Sequence, residues 1–166
     1  MKPAEYWIEH LALQPHPEGG FYRENYRAEE SIARASLPHR FTGARSFSTG
    51  IYFLLRSQDF SAFHRIQSDE MWHHYAGSSL TIFVLGQSGL TTYKLGTDLE
   101  AGERPQVVIP AGHWFAAQVP QADSYVLAGC TVSPGFDFAD FEMAKRDALI
   151  EEFPGEREII ERLSLA

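Results

Sequence analysis

Hydrophobic and polar residues alternate over much of the chain, and this period of two predicts β-strands. From Ser46 onward, short segments rich in β-branched and aromatic residues are separated by Gly, Pro or polar turns. No helix-like pattern lies between these segments, which is typical of an antiparallel sandwich or barrel. The pattern therefore predicts an all-β fold for the middle of the chain.

Short helices are expected on both sides of this β-rich region. Residues 3–13 have apolar side chains at helical spacing, and two prolines then end the pattern. A main helix is predicted over residues 136–153, with Asp137 or its neighbour as the cap, and Pro-Gly breaks it. A last short helix is expected over residues 156–163.

Two polar segments precede the β-rich region. Residues 16–27 turn at a Gly pair and then alternate, which places Tyr22, Glu24 and Tyr26 on one face of a strand and its arginines on the other. One face could border a polar cavity, but a charged edge strand would show the same pattern. Residues 28–45 have no clear periodicity and several arginines, which suits either a functional loop or a solvated flap.

Composition limits the class of protein. The 166 residues suit one domain, spanning 1–166, with enough apolar residues for a core. The net charge of −8 argues against nucleic-acid binding. A single cysteine excludes an intramolecular disulfide, and no apolar run is long enough to cross a membrane. The N-terminal segment lacks the apolar core of a signal peptide, so a cytoplasmic location is expected.

The residues that could carry catalysis or metal binding are concentrated in residues 61–77. This window predicts two strands, residues 62–66 and 70–75, which a polar turn joins into a hairpin. Alternation places Glu70, Trp72 and His74 on one face of the second strand, opposite to the face of His73 and Tyr75.

Imidazole and carboxylate groups suggest two kinds of chemistry. Together they are common ligands for zinc, manganese, iron or nickel, and they also transfer protons without a metal. A histidine in a strand is often only structural. However, His64 shares this window with Arg65 and Glu70, which favours a functional site.

The same window resembles the first motif of the cupin superfamily, because His64, Glu70 and Gly77 stand at its spacing. Pro110 and Gly112 match the turn of the second cupin motif. In addition, five blocks occur in order over roughly residues 6–150 and resemble the small single-domain cupin branch catalogued as a domain of unknown function. The blocks are HPEGGFYRENYR, IYFLL, FHRIQSDEMWHHYAG, PQVVIPAGHWFAA and GCTVSPGFDFADFE.

This resemblance implies a double-stranded β-helix, the cupin jelly roll, with short N-terminal and C-terminal helices. It also implies a homodimer and a small-molecule cavity inside the barrel. The resemblance favours His73 over His74 as the histidine that faces the pocket, and a β-bulge would reconcile this with alternation. The recurrent polar positions of the branch correspond to Glu18, Tyr22, Arg23, Glu24, His64, Arg65, Glu70, Trp72, His73 and Tyr75.

The match to a metal-binding cupin is incomplete. Ile66 and Phe115 stand where the motifs have histidines, and His113 is displaced from the second position by two residues. A catalytic zinc site normally needs three protein ligands. A divalent metal is therefore disfavoured, and its candidate ligands are His64, Glu70 and His73.

The sequence predicts a cupin without established activity that binds a small anionic or sugar-like metabolite. The candidate ligand-binding residues are Glu18, Arg23, Glu24, Arg65, Trp72 and His73. The alternative is a metal-independent sugar isomerase or epimerase, which the resemblance to sugar-epimerase cupins suggests more than an oxygenase. In that enzyme His64 is the base, Tyr22 or Tyr75 donates a proton, and Glu70 orients the imidazole.

Overall fold

The computed structural model describes residues 2–165, and short strands are their main regular structure. The strands are β1 (Gln14–Pro15), β2 (Phe21–Arg27), β3 (Ser31–Ile32), β4 (Arg45–Ser46), β5 (Thr49–Arg56), β6 (Phe60–Arg65), β7 (Asp69–Gly77), β8 (Leu80–Gly86), β9 (Gly89–Leu95), β10 (Gln106–Ile109), β11 (Trp114–Gln118), β12 (Tyr125–Ser133) and β13 (Glu142–Met143). The helices are α1 (Ala4–His10), α2 (Arg146–Glu152) and α3 (Arg157–Arg162). Three 3₁₀ turns span Arg34–Ser36, Phe138–Asp140 and Pro154–Glu156.

Two antiparallel sheets face each other. The larger has six strands in the order β1-β2-β5-β12-β7-β10, and the smaller has five in the order β13-β6-β11-β8-β9. Strands β3 and β4 pair separately. From β5 to β8 and from β9 to β13, successive strands alternate between the two sheets, whereas β8 and β9 pair within one sheet. Apolar side chains fill much of the space between the sheets. The predicted double-stranded β-helix with short terminal helices is confirmed.

Strand β8 shows why some segments are apolar on both faces. Leu80, Ile82 and Val84 point into the core between the sheets. Phe83 and Leu85 point the opposite way, into a second core beneath the C-terminal helices. Because successive side chains of a strand alternate between faces, a sheet that is covered on both sides needs a nearly continuous apolar run.

The helices cover the outer faces of the two sheets. The N-terminal helix α1 packs through Ala4 and Trp7 against Leu54 and Leu127 of the six-stranded sheet, so the helix predicted over residues 3–13 is present but shorter. Helices α2 and α3 cover the five-stranded sheet. Among residues 2–165, no helix is both long enough and apolar enough to span a membrane.

The main helix predicted over residues 136–153 is wrong in its first half. There the chain forms a 3₁₀ turn and the short strand β13, and helix α2 begins only at Arg146. Asp137 does act as a cap, but of the 3₁₀ turn, where its side chain accepts a hydrogen bond from the Ala139 N–H. Tertiary contacts of the aromatic and acidic side chains in this segment override its helical spacing.

The predicted hairpin of residues 62–66 and 70–75 is also wrong in its pairing. Both strands exist, but β6 pairs with β11 and β13, whereas β7 pairs with β10 and β12. The connection between them crosses from one sheet to the other, and the Ile66 carbonyl accepts a hydrogen bond from the Gly112 N–H at this corner. As a result, His64 and Glu70 come from opposite sheets.

One end of the loop of residues 28–45 is held by a buried ion pair. The Arg45 guanidinium donates to both carboxylate oxygens of Asp140, with two N···O distances of 2.6 Å. Both residues are buried. This pair ties the loop to the 3₁₀ turn that follows β12, so the end of the loop is not a solvated flap.

We expect Asp140→Ala to lower the free energy of unfolding by about 3–5 kcal/mol, because it leaves the Arg45 charge buried without a partner. Glu161→Ala is the control, since it breaks the exposed Arg157–Glu161 pair and should cost less than about 1 kcal/mol. Denaturant unfolding measures both changes. Equal losses for the two variants would contradict the role of the buried pair.

Candidate functional site

A cavity of about 630 Å³ lies between the two sheets, within the usual size range of small-molecule sites. Strands β2, β5, β6, β7 and β12 contribute to its wall, together with residues 136–141. Glu24, Arg27 and Phe138 are exposed and mark its mouth. Its aromatic lining consists of Tyr22, Phe53, Trp72, Phe136, Phe138 and Phe141.

A tight turn brings Glu18 into this wall. Gly19 has a φ of 113° and passes so close to the Phe60 carbonyl that any side chain there would clash. The Ala62 N–H donates to the Glu18 carbonyl over 2.8 Å, and the Ser61 hydroxyl donates to the Glu18 carboxylate over 2.7 Å. The glycine therefore allows the segment before β2 to pack directly on β6.

His64 and Glu18 form a buried pair. The imidazole Nε2 lies 2.9 Å from a Glu18 carboxylate oxygen, and Nδ1 lies 2.7 Å from the Ala62 carbonyl oxygen. Because both ring nitrogens face acceptors, both carry protons, and the pair is an imidazolium with a carboxylate.

The pKa values of the two groups agree with this ionic form. Burial alone would lower the pKa of His64, but the charge and hydrogen bond of Glu18 raise it above its usual value. Burial alone would raise the pKa of Glu18, but the charges of His64 and His16, with hydrogen bonds from His64 and Ser61, hold it below its usual value. The pair therefore remains charged although it is buried.

His16 supports the pair as a neutral imidazole. Its Nδ1 accepts the Glu18 backbone N–H over 3.2 Å, so its remaining proton lies on Nε2. Burial lowers the pKa of His16, an effect that the Glu18 charge only partly opposes. The sequence prediction did not include this residue. The signal in the sequence that could have identified His16 was its position two residues before Glu18 and just ahead of the Gly pair.

Glu70 is on the opposite wall and forms no salt bridge among the described residues. It is 7% exposed, and burial raises its pKa to about 7, with the nearby His64 charge opposing and the Glu18 charge adding to this shift. Among the described residues, only the Cys130 thiol is placed to hydrogen-bond to its carboxyl group. Burial and the Glu70 charge raise the pKa of Cys130 well above its usual value, so this thiol stays protonated.

An ion pair stands at the mouth of the cavity. The Arg27 guanidinium donates to both carboxylate oxygens of Glu24 over 2.8 Å and to the Phe136 carbonyl over 3.0 Å. Alternation predicted that Arg27 and Glu24 lie on opposite faces of β2. A bulge at Asn25 adds one residue to the strand and brings both side chains to the same side.

Two predicted site residues on β7 point away from the cavity. His73 lies on the outer face of the sheet, where its ring hydrogen-bonds to Thr131 and Gln106. Tyr75 is also on this face and is 53% exposed. The bulge that would have turned His73 inward is present, but it falls at Tyr75. The preference for His73 as the pocket histidine is therefore wrong, and the proton-donor role of Tyr75 in the cavity is excluded by position.

His74 does not take the place of His73. Its ring Nε2 lies 3.1 Å from the Ser78 carbonyl oxygen, and the residue does not line the cavity.

The two predicted anion-binding arginines are also directed elsewhere. Arg65 binds Glu142 over 2.7 Å and lies over the Trp114 ring on the outer face of the smaller sheet. Arg23 borders the cavity, but its guanidinium donates to the Leu11 carbonyl beside α1. The remaining predicted residues that line the cavity are Glu18, Tyr22, Glu24, His64, Glu70 and Trp72.

The donor set does not fit the metal of metal-binding cupins. Both nitrogens of His64 already face hydrogen-bond acceptors, and the apolar ring of Phe115 contacts the His64 ring, with centroids 4.1 Å apart. His113 lies outside the cavity. Across residues 2–165, no three His, Cys, Asp or Glu side chains are grouped so that they could hold a metal ion.

Two antiparallel sheets that enclose such a cavity form the jelly roll of cupin-like proteins. Residues 5–144 match the Cupin superfamily (DUF985), and the chain belongs to this family of unknown function. An uncharacterized protein of Saccharomyces cerevisiae is 26% identical over 168 residues, which are 96% of this chain and 84% of that protein.

Solved structures share the fold over the whole chain. A Shewanella oneidensis protein has 43% identity and a TM-score of 0.89, with 99% of both chains covered. A hypothetical protein from Leishmania major has 32% identity and a TM-score of 0.90, with 99% of this chain and 100% of that chain covered. Oxalate decarboxylase from Bacillus subtilis has 14% identity and a TM-score of 0.54, with 90% of this chain and 36% of that chain covered, which shows similarity of fold alone.

The raised pKa of Glu70 predicts that the difference in stability between Glu70→Gln and wild type changes with pH. Because its pKa of about 7 in the fold exceeds the ordinary 4.5, wild-type stability falls as pH rises through this interval. Glu70→Gln lacks this loss, so we expect it to gain about 3 kcal/mol relative to wild type between pH 4 and pH 8.

Denaturant unfolding at several pH values measures this difference. Glu142→Gln is the control because it removes an exposed carboxyl group outside the cavity, and the change for Glu70→Gln should be clearly larger. A flat difference between Glu70→Gln and wild type would show that the pKa of Glu70 is not raised.

Proposed function

We propose that the cavity binds a small hydroxylated, sugar-like metabolite. The observation that carries this proposal is the combination of aromatic walls with a few fixed polar groups, above all the paired His64 and Glu18. Apolar walls with a small number of oriented polar groups are the usual composition of a small-molecule site. The hydroxyl of Tyr22 and the carboxyl of Glu70 add groups that can bind ligand hydroxyls.

The distribution of charge favours a sugar-like ligand over the anionic alternative. Arg27 and His64 are both paired with carboxylates, and the Arg23 guanidinium is directed to the Leu11 carbonyl. Among the described residues that line the cavity, Arg23 is therefore the cation without a carboxylate partner, and its guanidinium donates to the Leu11 carbonyl beside α1. Glu70 would also repel such a group in its charged form.

A cavity-filling variant tests this proposal. Ile51 lines the cavity, so Ile51→Phe should remove space for a ligand, whereas Leu99→Phe changes an exposed position outside the cavity. Thermal unfolding is measured with hexoses, pentoses and their phosphates. We expect at least one uncharged sugar to stabilise wild type and Leu99→Phe, by about 2.7 kcal/mol at a hundred times its Kd, but not Ile51→Phe.

If sugars have no effect on wild type, or stabilise all three proteins equally, the proposed site is wrong. A clear preference for the phosphates would restore the anionic alternative.

A second candidate function is metal-independent isomerisation or epimerisation. The observation that favours it is the presence of the His64 imidazole and the Glu70 carboxyl group on opposite walls, because a carboxyl group whose pKa is raised to about 7 suits proton transfer. His64 can act as the base only if Glu18 releases its Nε2, since both ring nitrogens are engaged. Tyr22 remains in position to donate a proton from the cavity wall.

This second function predicts turnover of a sugar that the binding screen identifies. His64→Asn should lower the rate by roughly 100-fold or more, with Glu142→Gln as a control. Proton NMR of the sugar reports any new product. A ligand that binds and is recovered unchanged would leave binding as the function.

The homodimer implied by the family resemblance stays a prediction. Neighbouring strands β7 and β10 expose Met71, Tyr75 and Val108, and a second copy that covers these apolar side chains would remove them from water. We expect light scattering to give twice the monomer mass. A monomer mass at micromolar concentration would contradict the expectation.

A further inference from the structure

Glu70 is a buried carboxyl group without an ion-pair partner among the described residues. Its carboxyl group is buried in the cavity wall and carries no salt bridge among the described residues. Every other carboxylate in the wall has a charged or backbone donor: Glu18 has His64, Glu24 has Arg27, and Asp137 has the Ala139 N–H. A buried carboxylate without such a partner is costly.

Among the described lining residues, carboxyl groups outnumber cations. The four carboxyl groups are those of Glu18, Glu24, Glu70 and Asp137. The three cations are His64 and Arg27, which are paired with carboxylates, and Arg23, whose guanidinium donates to the Leu11 carbonyl; burial lowers the pKa of His16 and keeps it neutral. Such a cavity attracts a ligand that brings its own positive charge.

The side chains around Glu70 suit a cation. Trp72 lies two residues further along the same face of β7 and packs edge-on against Phe53, with ring centroids 5.3 Å apart. Aromatic rings stabilise a nearby ammonium group through their π faces, and an ammonium group offers three N–H donors to a carboxylate. Within residues 2–165, the donor beside the carboxyl group is the Cys130 thiol, and a thiol is a weak donor.

We propose that the ligand of this cavity carries an ammonium group and that Glu70 is the residue that binds it. This inference rests on the proposed function and narrows the ligand to an amino-substituted, sugar-like molecule. The hydroxylated body lies along the aromatic walls, and the ammonium replaces the missing cation at Glu70. Binding converts Glu70 to its carboxylate form, so a proton is released from any Glu70 that is protonated beforehand.

Matched ligand pairs test the inference by isothermal titration calorimetry. Glucamine is compared with sorbitol, and glucosamine with glucose, because each pair differs by one amine in place of one hydroxyl. We expect the wild-type protein to bind at least one amine roughly 10- to 100-fold more tightly than its hydroxyl partner. For glucamine, the affinity should rise between pH 6 and pH 8 as Glu70 loses its proton.

Two variants distinguish the proposed contact between Glu70 and the ammonium group from a general effect of removing a carboxylate. Glu70→Gln keeps the shape of the side chain but removes its charge, and it should abolish the preference for the amine. Glu142→Gln removes an exposed carboxylate outside the cavity and should leave the preference unchanged. Thermal unfolding verifies that both variants are folded.

Each other outcome counts against the inference. Equal or tighter binding of sorbitol and glucose, or an amine preference that survives in Glu70→Gln, overturns the ammonium site but leaves sugar-like binding intact. If neither member of either pair binds, the ammonium site is overturned, and the thermal screen of uncharged sugars separately decides the proposed function.

Discussion

Charge inside the barrel must be compensated, and the pairing of Glu18 with His64 is the main way in which this fold achieves it. A single buried carboxylate or imidazolium would be costly. Here His64 Nε2 and one Glu18 oxygen engage each other, while the Ala62 carbonyl and the Ser61 hydroxyl engage the other nitrogen and the other oxygen. The contact depends on Gly19, because only a glycine allows the turn to lie against the Phe60 carbonyl. A local backbone property thus permits a polar cavity inside an otherwise apolar core.

Opposite walls of the cavity then have different electrostatic character. The wall that contains His64 is saturated with hydrogen bonds, whereas Glu70 on the other wall has only the weak Cys130 donor among the described residues. This difference arises because β6 and β7 belong to different sheets although they follow one another in the chain. In the proposed complex, the wall with His64 would orient the ligand through its shape, and the wall with Glu70 would select the charge of the ligand.

The sequence predicted the β-strands because the signals for strands are local, whereas the jelly roll was implied by the family resemblance. Strand β8 alternates between two apolar cores, and β7 keeps Glu70 and Trp72 on one face, as their spacing requires. The alternation of side chains along a strand holds only until a bulge occurs. The bulge at Asn25 brought Arg27 to the mouth, and no feature of the sequence places a bulge at that residue.

Other parts of the site depend on contacts between distant segments. The family resemblance included Glu18 but could not show that Glu18, and not Glu70, is the partner of His64. The helical spacing after Phe136 was misleading, because Asp140 is buried against Arg45 from a loop almost a hundred residues earlier. The assignment of each strand to a sheet and the burial of ion pairs are properties of the folded chain. Periodicity alone therefore does not reveal them.

The unpaired state of Glu70 is the property of the cavity that most needs a direct measurement. Carbon-13 NMR of the glutamate side-chain carboxyl groups, with Glu70 assigned from the spectrum of Glu70→Gln, measures its protonation as a function of pH in the ligand-free protein. We expect a midpoint at about pH 7, well above the ordinary 4.5. A midpoint at or below the ordinary value would mean that Glu70 already has a strong partner, and it would contradict the electrostatic difference between the two walls of the cavity.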